Sequence, residues 1–127
     1  TAKGEILCLD LKTGKPKWTY ALKEPVMSEP AIADMDGDGI PDITVGTMNR
    51  RVHCISGKGD AELWSYEAGG QIRFSGPLLV KKSDATAPVV FVGTGPPENA
   101  LYCLSGNSPR LHSRGWLGPW KELTKAR

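Results

Sequence analysis

The sequence has 127 residues, of which 39% are hydrophobic and 24% are charged. These values are ordinary for a globular domain and argue against disorder. The net charge of +2 gives no basic field for nucleic acid or an anionic membrane surface. No apolar stretch approaches the roughly 20 residues that cross a bilayer. The 15 Gly and 10 Pro favour short strands joined by turns, so we expect an all-β fold.

An internal repeat organises the chain. The same short apolar segment surrounds Cys8, Cys54 and Cys103, which are spaced 46 and 49 residues apart. A tryptophan follows ten residues after each of the first two cysteines, at Trp18 and Trp64. Repeats of this length that hold four short strands are typical of β-propeller blades.

In this frame the chain predicts nine strands, near 5–10, 17–22, 29–33, 42–47, 51–56, 62–67, 76–81, 88–93 and 100–105. We therefore expect an all-β partial β-propeller of four-stranded antiparallel blades, about two and a quarter blades in all. Residues 1–106 form the blades, divided into the end of one blade at 1–22, a complete blade at 29–68 and an incomplete blade at 75–106. A third tryptophan in register would stand at Ser113, so residues 107–127 are expected to be a divergent tail.

Incomplete terminal sheets need a cover, because a propeller hides its sheet faces by closing a ring. We expect the open sheets to expose apolar residues, namely Ile6, Leu9, Leu101 and Leu104. The start of the sequence has no initiator Met and no apolar signal-peptide core, so a processed product or an excised piece of a longer protein is expected. The cover would be the remaining blades, a second copy, or the tail around Trp116 and Trp120.

One loop has the composition of a calcium site. Alternate acidic residues separated by glycines turn carboxylates inward, and Ca²⁺ takes 6 to 8 oxygen ligands. The predicted ligands are the carboxylates of Asp34, Asp36, Asp38 and Asp42 and the carbonyl of Ile40. A solvated Asp-Gly turn without metal is the alternative. An EF-hand would need Glu at the twelfth position, which is Val45.

The next repeat lacks this ligand set. An offset of 47 residues replaces the four aspartates by Lys81, Ser83, Ala85 and Val89. We therefore expect one Ca²⁺ per chain.

Two segments resemble known repeats. Residues 4–20, with a Leu-Asp, a Thr-Gly and a Trp landmark, resemble the repeat of PQQ-like propellers. Residues 33–46 are similar to the FG-GAP repeat of integrin α-subunit propellers. Both resemblances imply four-stranded blades, and the second places the calcium loop in the first hairpin of a blade.

The FG-GAP resemblance implies a non-catalytic, calcium-binding propeller segment that serves protein–protein interaction or adhesion within a larger propeller. It also implies an extracellular, lumenal or periplasmic location. The alternative is a fragment of a PQQ-dependent quinoprotein dehydrogenase or of a PQQ-like assembly scaffold. Fold alone does not decide between these functions.

The remaining reactive side chains favour packing. The three cysteines share one strand position between apolar neighbours, so we expect buried free thiols. His53 and His112 have no metal-ligand spacing and are expected to have no functional role. The in-register repetition of Trp18 and Trp64 predicts packing between blades.

Overall fold

Alternating apolar residues between Gly-rich turns form short strands throughout the chain. A computed structural model describes residues 1–73, 75–81, 87–107 and 111–116, and the last of these ranges by its backbone. The strands are β1 (Glu5–Leu9), β2 (Pro16–Ala21), β3 (Ala31–Ala33), β4 (Asp42–Gly46), β5 (Arg51–Ile55), β6 (Glu62–Glu67), β7 (Leu78–Val80), β8 (Val89–Gly93), β9 (Ala100–Ser105) and β10 (Leu111–Trp116). No helix in the described part is long and apolar enough to cross a membrane.

The strands form three antiparallel sheets in chain order. Sheet 1 contains β1 and β2, sheet 2 contains β3 to β6, and sheet 3 contains β7 to β10. Each neighbour in a sheet is also the neighbour in sequence, which is the arrangement predicted for a propeller blade.

The third sheet corrects the expectation of an incomplete blade. Its fourth strand, β10, pairs with β9 and places Ser113 opposite Cys103. This pairing repeats the register of Trp18 opposite Cys8 in sheet 1. Backbone pairing therefore continues where the tryptophan landmark is lost, and part of the expected tail belongs to the blade. Trp120 and the rest of 117–127 lie outside the described residues.

The two tryptophans join neighbouring sheets, as predicted. Trp18 Nε1 donates to Gly57 O at 3.1 Å, and Trp64 Nε1 donates to Gly106 O at 2.6 Å. The same kind of contact thus links sheet 1 to sheet 2 and sheet 2 to sheet 3. A Cβ at Gly106 would lie 2.0 Å from the Pro88 carbonyl oxygen, so only glycine allows this approach.

The main core lies between sheets 2 and 3 and includes Val52, Cys54, Trp64, Val90, Val92, Tyr102 and Leu104. Leu104 is fully buried there, so the expectation that it is exposed was wrong. Leu9 and Leu101 are exposed as expected, whereas Ile6 is half-buried.

Candidate functional site

The Asp-rich loop joins β3 to β4 and is anchored at its end by a buried carboxylate. Asp42 is fully buried, and its Oδ2 accepts from Met35 N at 2.7 Å. Its Oδ1 accepts from Gly57 N at 2.9 Å, across the sheet in the β5–β6 turn. Met35 itself packs into the core between sheets 2 and 3. The loop therefore starts and ends at fixed points.

The exposed part of the loop is ordered by its own aspartates. Asp34 accepts from Gly37 N at 2.7 Å through Oδ1 and from Gly39 N at 2.9 Å through Oδ2. Both glycines have positive φ, 85° and 83°, a conformation that L side chains rarely adopt. Asp36 accepts from Asp38 N at 3.0 Å. These hydrogen bonds hold the loop in one shape, although the sequence alone contains no signal of such pre-organisation.

Three of the four predicted carboxylates meet in space. One oxygen from each of Asp34, Asp36 and Asp42 lies within 4.8 Å of the others. Carboxylate oxygens at this separation suit a hard cation such as Ca²⁺. The backbone amide of Ile40 donates to Asp38 at 2.8 Å, so the fifth predicted position also lies within the ordered loop.

Asp38 has a different partner from the other three aspartates. Lys58 Nζ lies 2.7 Å from Asp38 Oδ2. The hydrogen bond from Lys58 lowers the pKa of the Asp38 carboxyl below its usual value, and Asp38 raises the pKa of Lys58. An ammonium group therefore already stands beside the acidic loop and would compete with a metal ion for Asp38.

The loop that follows in sheet 3 differs at both of its described ends. Lys81 and Val89 stand at the positions of Asp34 and Asp42, while Ser83 and Ala85 lie outside the described residues. At these two positions the β7–β8 loop therefore lacks the carboxylates of the β3–β4 loop.

His53 lies in a polar cluster that sequence spacing did not reveal. The residue is 5% exposed, with Nδ1 2.6 Å from Glu62 Oε2 and Nε2 3.0 Å from Glu24 Oε2. Thr47 Oγ1 donates to the same oxygen of Glu24 at 2.8 Å. The expectation of no functional role for His53 rested on the lack of metal-ligand spacing in sequence. Glu24 lies 29 residues away, so spacing gives no sign of this contact. Only the folded sheet brings these groups together.

Glu24 connects the segment after sheet 1 to sheet 2. Burial acts to raise its pKa, but hydrogen bonds from His53 and Thr47 and the nearby charges of His53 and Arg51 outweigh burial and lower the pKa. The cluster thus favours an ionised Glu24 and ties the β2–β3 connection to the blade.

The three thiols are free but differ in burial. Cys54 is fully buried, whereas Cys8 and Cys103 are half-buried, so the expectation of three buried thiols is correct only for Cys54. Burial, together with the charges of Asp42, Asp36 and Glu62, raises the pKa of Cys54 to about 12. His112 lies in β10, and its side chain is outside the described part.

Comparison with solved structures establishes the fold. The chain is similar to the crystal structure of BamB from Moraxella catarrhalis, with a TM-score of 0.70 and 15% sequence identity over 93% of this chain. The fold is a partial β-propeller of antiparallel sheets, as predicted. The chain spans 31% of the length of that structure. No family model and no curated protein matches it.

Proposed function

We propose that this chain is a non-catalytic segment of a larger β-propeller that serves as a scaffold for contact with another protein. The observation that supports this proposal is an apolar sheet face. Register along β7, β8 and β9 places six residues on one face of sheet 3, here called the outer face: Leu78, Val80, Val89, Phe91, Leu101 and Cys103.

The outer face differs from the opposite face of the same sheet. Val90 and Leu104 on the opposite face are fully buried in the core. On the outer face Leu78 is 62% exposed, while Phe91 is half-buried. Contiguous apolar surface of this kind marks a protein contact in a soluble protein. A following blade or a protein partner would cover it.

Light scattering of the purified chain tests the proposal. We expect the wild type to associate with increasing concentration, because association buries the outer face. The double variant Leu78→Asp/Leu101→Asp should remain dispersed. Leu11→Asp is the matched control, since Leu11 is fully exposed in the β1–β2 turn and outside the outer face. A wild type that stays monomeric, or equal effects of the control and the double variant, would contradict the proposal.

We further propose that the Asp-rich loop of this segment binds one Ca²⁺, with Asp34, Asp36 and Asp42 as carboxylate ligands. The support is their convergence within 4.8 Å and the hydrogen bonds that pre-order the loop. Lys58 competes for Asp38, so we expect weak to moderate affinity, about 10⁻⁴ to 10⁻³ M as in extracellular modules. A site of that strength fills only at extracellular-like calcium concentrations, which favours a location outside the cytoplasm.

Titration calorimetry separates the calcium proposal from a metal-free turn. The wild type should bind one Ca²⁺, and Asp36→Ala should bind none, because it lacks one of the three carboxylate ligands. Asp36 is exposed, so its loss leaves the fold intact. Lys58→Met removes the competing ammonium and should tighten binding severalfold. Lys12→Met is the control, since Lys12 stands at the equivalent position in the β1–β2 turn of sheet 1. Absence of heat in both the wild type and Lys58→Met would refute calcium binding.

A further inference from the structure

The edge of β1 that faces away from β2, here called the free edge of β1, carries backbone groups that pair with no strand within the described residues. Gly4 O accepts from Leu22 N at 2.8 Å, so every second residue after Gly4 directs its amide and carbonyl toward β2. Leu7 and Leu9 therefore direct theirs to the opposite edge. In sheet 2 the equivalent residues of β5, His53 and Ile55, pair with Val45 and Ile43 of β4.

The turn that would lead into β1 from a preceding strand is already formed. The Thr1 amino group donates to Glu5 O at 2.7 Å, and Glu5 N donates to Thr1 Oγ1 at 3.0 Å. In sheet 2, Thr47 N donates to Arg51 O at 2.9 Å, and Arg51 N donates to Thr47 Oγ1 at 3.3 Å. Thr94 makes the same pair of contacts with Ala100 in sheet 3. The turn that joins the second and third strands of sheets 2 and 3 is thus also present directly before β1.

A groove beside this edge has an apolar lining that suits the inward-facing side chains of added strands. It has a volume of about 370 Å³ and is lined mainly by apolar side chains, including Ile6, Val26, Ile32, Ile43 and Val45. Ile43 is half-buried there, whereas its equivalent in the next sheet, Val90, is 0% exposed. Ile32 is 63% exposed, whereas its equivalent Leu79 is half-buried. Val90 and Leu79 face a four-stranded neighbour, and Ile43 and Ile32 face a two-stranded one.

We propose that the free edge of β1 binds a β-hairpin of the same repeat type, one that reads like β3–β4. Its second strand would run antiparallel to β1, with the counterpart of Val45 opposite Leu7 and the counterpart of Ile43 opposite Leu9. Strand addition of this kind gains affinity from main-chain hydrogen bonds and specificity from alternate side chains. The alternate side chains would enter the groove and cover Ile32 and Ile43. This inference does not depend on the outer face of sheet 3 or on the calcium loop.

Hydrogen exchange on the full chain tests this edge. The probe is a synthetic peptide copy of residues 29–47, added in excess in the presence of a chelator. We expect the amides of Leu7 and Leu9 to exchange at least tenfold more slowly, while the amide of Cys8, which already faces β2, is unchanged. A peptide N-methylated at the counterparts of Ile43 and Val45 is the control, because it keeps its own hairpin pairing and loses the donors toward β1.

A second version of the experiment compensates for the low affinity that is expected of a free hairpin. A copy of residues 29–46 is joined directly before Thr1, because Thr1 itself stands at the position of Thr47. The fusion raises the effective concentration of the hairpin into the millimolar range or above. Protection of Leu7 and Leu9 in the free or the joined form supports the proposal. Lack of protection in both forms overturns it, as does equal protection by the N-methylated peptide. Protection that depends on chain concentration without peptide would identify a second copy as the occupant and also overturn it.

Discussion

Sheets 1 and 2 contain the same repeat but differ in how deeply they are buried. Cys8 pairs with Trp18 in sheet 1 as Cys54 pairs with Trp64 in sheet 2. Nevertheless, four of the five residues of β5 are buried, and no residue of β1 is fully buried. Sheet 2 contacts a described sheet on each side, whereas sheet 1 contacts one. Burial of a repeat residue is therefore set by its neighbouring blades and not by its own strand.

The largest expected effect contrasts two equivalent residues, Ile55 and Leu9. Ile55 is 0% exposed and Leu9 is 50% exposed. Ile55→Ala should lower the free energy of unfolding by about 2 to 5 kcal/mol, because it removes buried atoms and leaves a cavity. Leu9→Ala should cost about 1 kcal/mol or less, since half of that side chain already contacts water.

Urea unfolding followed by tryptophan fluorescence measures both losses. Equal losses would show that Leu9 is covered in solution, by self-association or by residues outside the described part. Repeating the measurement at several chain concentrations distinguishes self-association, because only that loss would vary with concentration.

The repeat explains why most of the fold could be predicted from the sequence. A period near 46 residues aligned the cysteines, the tryptophans and the turn residues, and the bounds of the nine predicted strands lie within two residues of the observed ones. β10 was missed because Ser113 replaces the tryptophan landmark. Its pairing with β9 depends on the backbone edge that β9 offers, and such an edge leaves no local sequence signal.

The candidate site was predicted only where its residues are local in sequence. Alternate aspartates in one loop indicate convergence, and Asp34, Asp36 and Asp42 do converge. Lys58 belongs to another hairpin, and its contact with Asp38 follows from the packing of two turns at the same end of sheet 2. Glu24 reaches His53 from 29 residues away because the β2–β3 connection packs against β5. Contacts between turns require the register of the folded sheet.

A second contrast concerns the equivalent thiols Cys54 and Cys8. Cys54 is buried and its pKa is raised to about 12, whereas Cys8 is half-buried. We expect Cys54 to react with an alkylating reagent about 100-fold or more slowly than Cys8, because labelling requires an opening of the core. Peptide mass spectrometry after timed labelling at pH 8 measures both rates. Equal native-state rates would contradict the burial of Cys54.

The raised pKa of Cys54 also has a pH consequence. The folded state keeps this thiol protonated, while the unfolded state ionises it above its ordinary value of 9.0. Its contribution to stability is therefore fully present below pH 9 and is lost as the pH rises from there toward about 12. Cys54→Ser should lose most of this pH dependence, although its stability below pH 9 will also be lower.

A smaller effect is expected at Asp42, which has a structural role whether or not calcium binds. Asp42→Ala leaves the amides of Met35 and Gly57 without their carboxylate acceptor. We expect a loss of about 1 to 3 kcal/mol in the free energy of unfolding, measured in chelator. Asp36→Ala is the control and should change it by about 0.5 kcal/mol or less, because Asp36 is exposed. Equal losses would mean that the buried hydrogen bonds of Asp42 do not contribute to the free energy of unfolding.

The smallest expected effect tests the equivalent turns that precede β1 in sheet 1 and β5 in sheet 2. Gly4 and Arg50 precede β1 and β5, and both have positive φ, 82° and 66°. A left-handed conformation costs a non-glycine residue about 1 to 2 kcal/mol, and the greater freedom of unfolded glycine returns about 0.5 to 1 kcal/mol of that cost. Arg50→Gly should therefore stabilise the chain by about 0.5 kcal/mol.

Arg50→Ala is the matched control for the turn, because it removes the same side chain and keeps the penalty for positive φ. The difference between the two variants in urea unfolding isolates the backbone term. We expect Arg50→Gly to be the more stable of the two, with the sign unchanged by salt, since the term is steric and not electrostatic. If Arg50→Ala is equally stable, the left-handed turn of sheet 2 is not maintained in solution. The comparison between that turn and the turn formed by Thr1 and Gly4 before β1 would then not hold.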